Sequence, residues 1–162
     1  MLTATSSDKV DISSEKKTED FAYKFQQKIK PGLIVFLHGE IGVGKTTFVR
    51  HLINGYQKEN ELELTEVTSP TFNLCNQYQI KNIKINHYDL FRIKSVEETK
   101  NLGLFDNLSN SITLVEWPQI IKEKLPDTFI LALSAIFIAT FFSNYLDILN
   151  SNLCQYLSLI HI

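Results

Sequence analysis

Eight consecutive residues, Gly39-Glu40-Ile41-Gly42-Val43-Gly44-Lys45-Thr46, form the pattern G-x-x-x-x-G-K-T, and the apolar run Leu33-Ile34-Val35-Phe36-Leu37 leads directly into them. The pattern demands a strand that ends in a tight loop and a helix that begins at once. Glycines let the backbone curl so that successive N–H groups point inward at phosphate oxygens. The positive end of the helix dipole adds to that field, Lys45 supplies a mobile charge for β- and γ-phosphates, and Thr46 offers a hydroxyl to Mg2+. The flanking strand and helix separate this arrangement from a glycine-rich turn that merely precedes a helix. A nucleoside triphosphate is the expected ligand.

The rest of the chain reads outward from that loop. Residues 1–13 are expected to be a flexible lead-in. From Ser14 to Ile29 the apolar positions Phe21, Ala22, Phe25 and Ile29 recur at helical spacing, and Lys30-Pro31-Gly32 turns the chain into the loop-bearing strand. The helix after the loop is predicted over Lys45 to Gln57, with Phe48, Val49, Leu52 and Ile53 facing the core and Gly55 weakening its end. Leu74 to Ile80 and Ile83 to Leu90 predict a hairpin around Lys81-Asn82. Ser95 and Glu98 form a capping box opening a short helix that Gly103 ends. Ile112 to Val115 predicts a buried strand ending at Glu116. A helix is expected after Trp117-Pro118, to about Lys124, and a further strand over Phe129 to Leu133. The implied fold is α/β, a three-layer sandwich of the P-loop NTPase type. Its sheet is mixed but mostly parallel, with an antiparallel hairpin, and its ligand lies at the carboxyl ends of the strands.

Composition narrows the function. A chain of 162 residues suits one domain. A net charge of -2 gives no general attraction to nucleic acid, so no DNA partner is expected. Cys75 and Cys154 are far apart and lack a metal-ligand pattern, which favours free thiols in a reducing compartment. Met1 to Lys17 is polar and lacks the apolar core of a signal peptide, so a cytoplasmic location is expected. All 16 basic residues lie at or before Lys124, and Phe129 to Phe142 is almost wholly apolar. That run is shorter than the ~20 residues needed to span a bilayer, and no basic flank comes after it. No membrane association is expected; 14–133 reads as the P-loop domain and 134–162 as an atypical apolar tail.

Nucleotide hydrolysis needs a metal, a group that orders water and a sensor of the γ-phosphate. Asp89, at the end of the predicted strand from Ile83, and Glu116, directly after Ile112 to Val115, compete for the metal-side role. Either would stand beside the phosphate loop, and the alternative for each is a solvated strand-end acid. Thr71, in Ser69-Pro70-Thr71, is a candidate for Mg2+ or the γ-phosphate, or else a simple turn hydroxyl. His87 reads as a packed or partner-facing histidine rather than a general base. Trp117 belongs to the core or, if exposed, to a docking surface. Arg50 and Arg92 are the only arginines. That is too few for the phosphoryl clamp of a stand-alone kinase and suggests a weak ATPase completed by a partner.

Gly39 to Phe48, Thr68-Ser69-Pro70-Thr71-Phe72, His87-Tyr88-Asp89-Leu90-Phe91-Arg92 and Glu116-Trp117-Pro118 together resemble, in order and approximate spacing, the TsaE (YjeE) family. The resemblance covers about Thr18 to Leu133. It implies a P-loop ATPase needed to form N6-threonylcarbamoyladenosine in tRNAs reading codons that begin with A. Such a protein works with the TsaD–TsaB pair and meets tRNA only through that complex. It also implies ATP and Mg2+ as cofactors. Thr46 and Glu116 would hold the metal, and Lys45 and Asp89 would be catalytic. Gly39, Glu40, Ile41, Gly42, Val43, Gly44, Lys45, Thr46, Thr47 and Thr71 would bind nucleotide, with Thr18 nearby. Ser69 to Phe72 would form a switch-like loop, and Trp117 would lie close to the site.

One departure stands out. Family members close with a strand and a Gly-Arg-containing segment, whereas Leu131 to Ile162 holds neither residue. A shifted reading frame would produce so abrupt a change. The competing readings are a P-loop kinase of a small metabolite and a nucleotide-binding protein whose altered C-terminus impairs hydrolysis.

Overall fold

The computed structural model of the chain describes residues 8–121, 128–133 and 138–142. In chain order the elements are β1 (Asp8–Asp11), α1 (Glu15–Gln26), β2 (Ile34–His38), α2 (Lys45–Glu59), β3 (Cys75–Ile80), β4 (Ile83–Asp89), α3 (Val96–Lys100), β5 (Ser111–Glu116), β6 (Thr128–Leu133) and β7 (Ile138–Phe142). They build a seven-stranded sheet in the order β1-β7-β6-β2-β5-β4-β3. The four central strands β6, β2, β5 and β4 are parallel. Antiparallel partners close both edges, β3 on β4 and the β7–β1 pair on β6.

At the centre, β2 is a continuous apolar run and β5 nearly so, because both of their faces are covered. Ile34 to Leu37 and all of β5 are buried. Alternation then sends the side chains to two cores. Val35, Leu37, Ile112 and Leu114 face α1 and α2, where Phe21, Phe25 and Phe48 form an aromatic cluster with ring centroids 5.4–6.0 Å apart. Ile34, Phe36, Tyr88 and Val115 face the other way, against Leu90, Leu104 and Ile121. There segments 90–93 and 102–108 and the turn carrying Ile120 and Ile121 do the covering.

Local signals set the helix ends. Ser14 caps α1 by accepting from Lys17 N at 3.3 Å, and Ser95 caps α3 by accepting from Glu98 N at 3.3 Å. α2 runs past Gly55 to Glu59. A Cβ at Gly55 would collide with the buried Gln26 side chain of α1, so the glycine leaves room for that side chain between the two helices. The helix expected after Trp117-Pro118 is instead a single 3-10 turn, Pro118–Ile120, because Ile121 is already extended. Lys122 to Lys124 lie outside the described residues.

The apolar stretch from Phe129 supplies β6 and β7, paired antiparallel, with β6 docked beside β2. Thus β1 falls within the expected lead-in and β7 within the expected tail, and each pairs with the other. Among the described residues no helix is long and apolar enough to cross a membrane. Cys75 is a free, partly buried thiol whose pKa burial pushes up, and Cys154 lies outside the described residues.

Candidate nucleotide site

Parallel register assembles the site. Leu37 of β2 and Asp89 of β4 both lie opposite Glu116 of β5, so the loop after β2 and two carboxylates share one edge of the sheet. In the loop, Gly42 and Gly44 adopt φ of 83° and 97°, left-handed conformations that a side chain would disfavour. Gly44 is also the N-cap of α2 and brings no side-chain hydrogen bond, so the first amides of the helix keep their capacity for an anion.

Lys45 is buried at the floor of the loop. Its ammonium donates to the carbonyls of Gly39 and Glu40, each at 2.8 Å, and stands 4.0 Å from the centre of the Trp117 ring. Burial lowers its pKa, while the charges of Glu116 and Asp89 pull it back up. The ammonium is therefore held by carbonyl oxygens and a π-face, weaker partners than a phosphate.

Thr46 Oγ1 donates to Glu116 Oε1 at 2.8 Å, and His87 Nε2 lies 2.9 Å from the same oxygen. Both Glu116 and His87 are buried. Asp89, also buried, collects the neighbouring loops. Its Oδ2 accepts from Ser69 Oγ and Thr71 Oγ1, both at 2.7 Å, and its Oδ1 accepts from Phe91 N at 2.9 Å. Hydroxyl and carboxylate oxygens suit a hard dication such as Mg2+. Among the described residues no cluster of three or more His, Cys, Asp or Glu forms. Mg2+ that shares phosphate oxygens and water needs only one or two carboxylates.

These groups line an open cavity of about 360 Å3. Ile41, Gly42, Gly44, Lys45, Thr46 and Thr47 form one wall, and Ser69, Thr71, Asp89, Glu116, Phe91 and Trp117 the other. The rim is apolar, with Ile41 and Phe91 exposed and Phe91 packed on Trp117 at 4.9 Å between ring centres.

Residues 12–139 match the family described as Threonylcarbamoyl adenosine biosynthesis protein TsaE. The chain belongs to the TsaE family. A Rickettsia bellii relative is 46% identical over 115 residues, covering 71% of this chain and 77% of the relative. One from Borreliella burgdorferi is 36% identical over 119 residues, covering 72% of this chain and 82% of the relative. Each is named tRNA threonylcarbamoyladenosine biosynthesis protein TsaE. The crystal structure of Bacillus subtilis YdiB shares the fold, with a TM-score of 0.67, 97% of both chains covered and 23% identity.

Within this TsaE-family fold, the expected site residues divide into three groups. Ile41, Gly42, Lys45, Thr46, Thr47, Thr71, Asp89 and Glu116 meet in the cavity, as does Gly44. Gly39 and Glu40 contribute carbonyls to Lys45 from behind, and Val43 turns into the core. Thr18 does not line the cavity. It is buried on α1, where its hydroxyl donates to the Ser14 carbonyl at 3.1 Å. The expected switch loop is tied down through Ser69 and Thr71, while Phe72 is exposed with the Arg92 guanidinium 5.3 Å from its ring centre. Arg50 donates to the Val67 carbonyl. His87, read from sequence as packed or partner-facing, turns out to bond the acid at the centre of the site. His38, which carries no motif of its own in the sequence, ends β2 with its Nδ1 buried and unpartnered. Burial and, secondarily, the Lys45 charge push its pKa down to about 4. Its place between an apolar strand and the glycine loop was the available signal.

Proposed function

We propose that this protein is a Mg2+-dependent ATPase that assists formation of N6-threonylcarbamoyladenosine in tRNA together with the TsaD–TsaB complex, in the cytoplasm. The observation that carries the reading is the 2.8 Å bond between Thr46 of the loop and Glu116 of β5, with Lys45 and Asp89 in the same cavity. Nucleotide phosphates would meet the amides that open α2, and the Lys45 ammonium would exchange the Gly39 and Glu40 carbonyls for phosphate oxygens. Thr46 and Glu116 would hold Mg2+, which would supply charge neutralisation for the nucleotide phosphates. Asp89 holds the Ser69–Thr71 loop against the cavity and is the carboxylate available to order an attacking water. Arg50 is bonded to a carbonyl and Arg92 lies over Phe72, so neither is committed to the phosphate. That shortage calls for a partner to stabilise the transition state. The apolar rim formed by Ile41, Phe91 and Trp117 supports docking at the mouth of the site.

ATP hydrolysis measured with and without TsaD–TsaB tests the proposal. A low basal rate raised by the complex and abolished by Lys45→Ala is the expected result. Phosphate transfer to a small acceptor without any partner would replace this reading with that of a metabolite kinase.

A further inference from the structure

His87 lies on β4 two residues before Asp89, and its imidazole is wholly excluded from solvent. It does not line the nucleotide cavity, so it cannot touch a substrate. Its Nε2 is 2.9 Å from Glu116 Oε1, the oxygen that also accepts from Thr46 at 2.8 Å. A carboxylate offers only lone pairs, so Nε2 must carry the proton and donate. Nδ1 is buried without a partner. The opposite tautomer would bury an N–H with no acceptor and set the Nε2 lone pair against the Glu116 oxygen, both unfavourable. Two donors from different elements, one on α2 and one on β4, therefore converge on one carboxylate oxygen that is itself buried.

We propose that His87 is a positioning residue: its Nε2–H holds the Glu116 carboxylate in register with the Thr46 hydroxyl, so that the two meet a Mg2+–nucleotide as a preset pair. The inference rests on the nucleotide reading above. A residue that only filled the core would need the volume of the imidazole and not its donor. Second-layer donors to metal-binding side chains set ligand orientation, and their loss typically weakens metal binding about 10- to 100-fold.

The test compares wild type with His87→Leu, which fills space without a donor, and His87→Gln, whose amide N–H reaches about as far as Nε2. Circular dichroism and thermal midpoints establish that each variant is folded. A fluorescent ATP analogue is titrated first in chelator and then across a Mg2+ series. Metal-free affinity should be the same in all three proteins. The half-saturating Mg2+ concentration should rise about 10- to 100-fold in His87→Leu and return toward wild type in His87→Gln. Unchanged Mg2+ dependence in His87→Leu overturns the proposal, and so does an equal loss in both variants. A second readout needs no ligand: imidazole 15N spectra of the wild type should show a protonated Nε2 and a bare Nδ1. The reverse assignment also overturns it. Wild-type protein that binds no nucleotide refutes the ATPase reading instead, and the spectra still decide whether His87 donates to Glu116.

Discussion

Replacing Lys45 with Met separates binding from folding. The substitution keeps the buried stem and removes the ammonium. In the free protein the ammonium makes two carbonyl hydrogen bonds at 2.8 Å and lies 4.0 Å from the Trp117 ring centre. Hydrogen bonds to a charged group are worth about 1.5–3 kcal/mol each, and the ring adds about 0.5–1 kcal/mol. Against this stands the cost of burying the charge, which is the first cause of the lowered Lys45 pKa. These terms oppose one another, and Glu40 is an exposed residue. Lys45→Met should change folding stability by no more than about 1 kcal/mol. Nucleotide binding behaves differently because only the ammonium can exchange carbonyl oxygens for anionic phosphate oxygens. An ammonium–phosphate bond joins two ionised groups and is stronger than the ammonium–carbonyl bond it replaces. The net loss is about 2–3 kcal/mol, or roughly 30- to 150-fold in Kd. Urea denaturation and calorimetric ATP titration on one preparation measure both quantities. A Kd within threefold of wild type would refute the assignment of Lys45 to the phosphates. A stability loss above about 3 kcal/mol would show that the buried ammonium holds the loop together.

Three further outcomes are expected. His38 has its pKa pushed down to about 4 from an ordinary 6.5. The unfolded chain therefore binds more protons between those values, and stability is full above pH 6.5 and falls toward pH 4. Urea midpoints across that window should show a loss of about 2–3 kcal/mol in wild type that His38→Gln lacks. Phe48→Ala removes the centre of the Phe21–Phe25–Phe48 cluster and should cost about 3–5 kcal/mol in chemical denaturation. Asp89→Ala removes the carboxylate to which the Ser69 and Thr71 hydroxyls both donate. Hydrogen exchange over residues 68–72 should accelerate, and exchange unchanged from wild type would show that Asp89 does not hold that loop.

Signals carried by adjacent residues were legible in the sequence. The glycine pattern before Lys45 specified loop and helix because φ preferences and orphan amides are local properties. Ser95 marked a helix start for the same reason, and the apolar run ending at Glu116 predicted both the strand and the acid at its tip. Trp117-Pro118 misled, since a proline at the start of a turn fits a helix or a 3-10 turn equally well. The extended backbone of Ile121 is the deciding difference. What stands beside Gly55 was not legible in the sequence, because the Gln26 side chain there comes from another helix.

The tertiary structure decided which distant groups share an atom. Thr46 and Glu116 are 70 positions apart and Thr71 and Asp89 are 18 apart, yet each pair is joined by one hydrogen bond. Parallel register between β2, β5 and β4 sets those distances, and register depends on the packing of whole strands between two covered faces. The same dependence hid the role of His87. In the sequence it was a histidine in a strand that mixes apolar and polar residues. Only the alignment of β4 with β5 turned its Nε2 toward Glu116 and the phosphate loop, so the sequence determined which chemical groups the site contains and the sheet determined which of them meet.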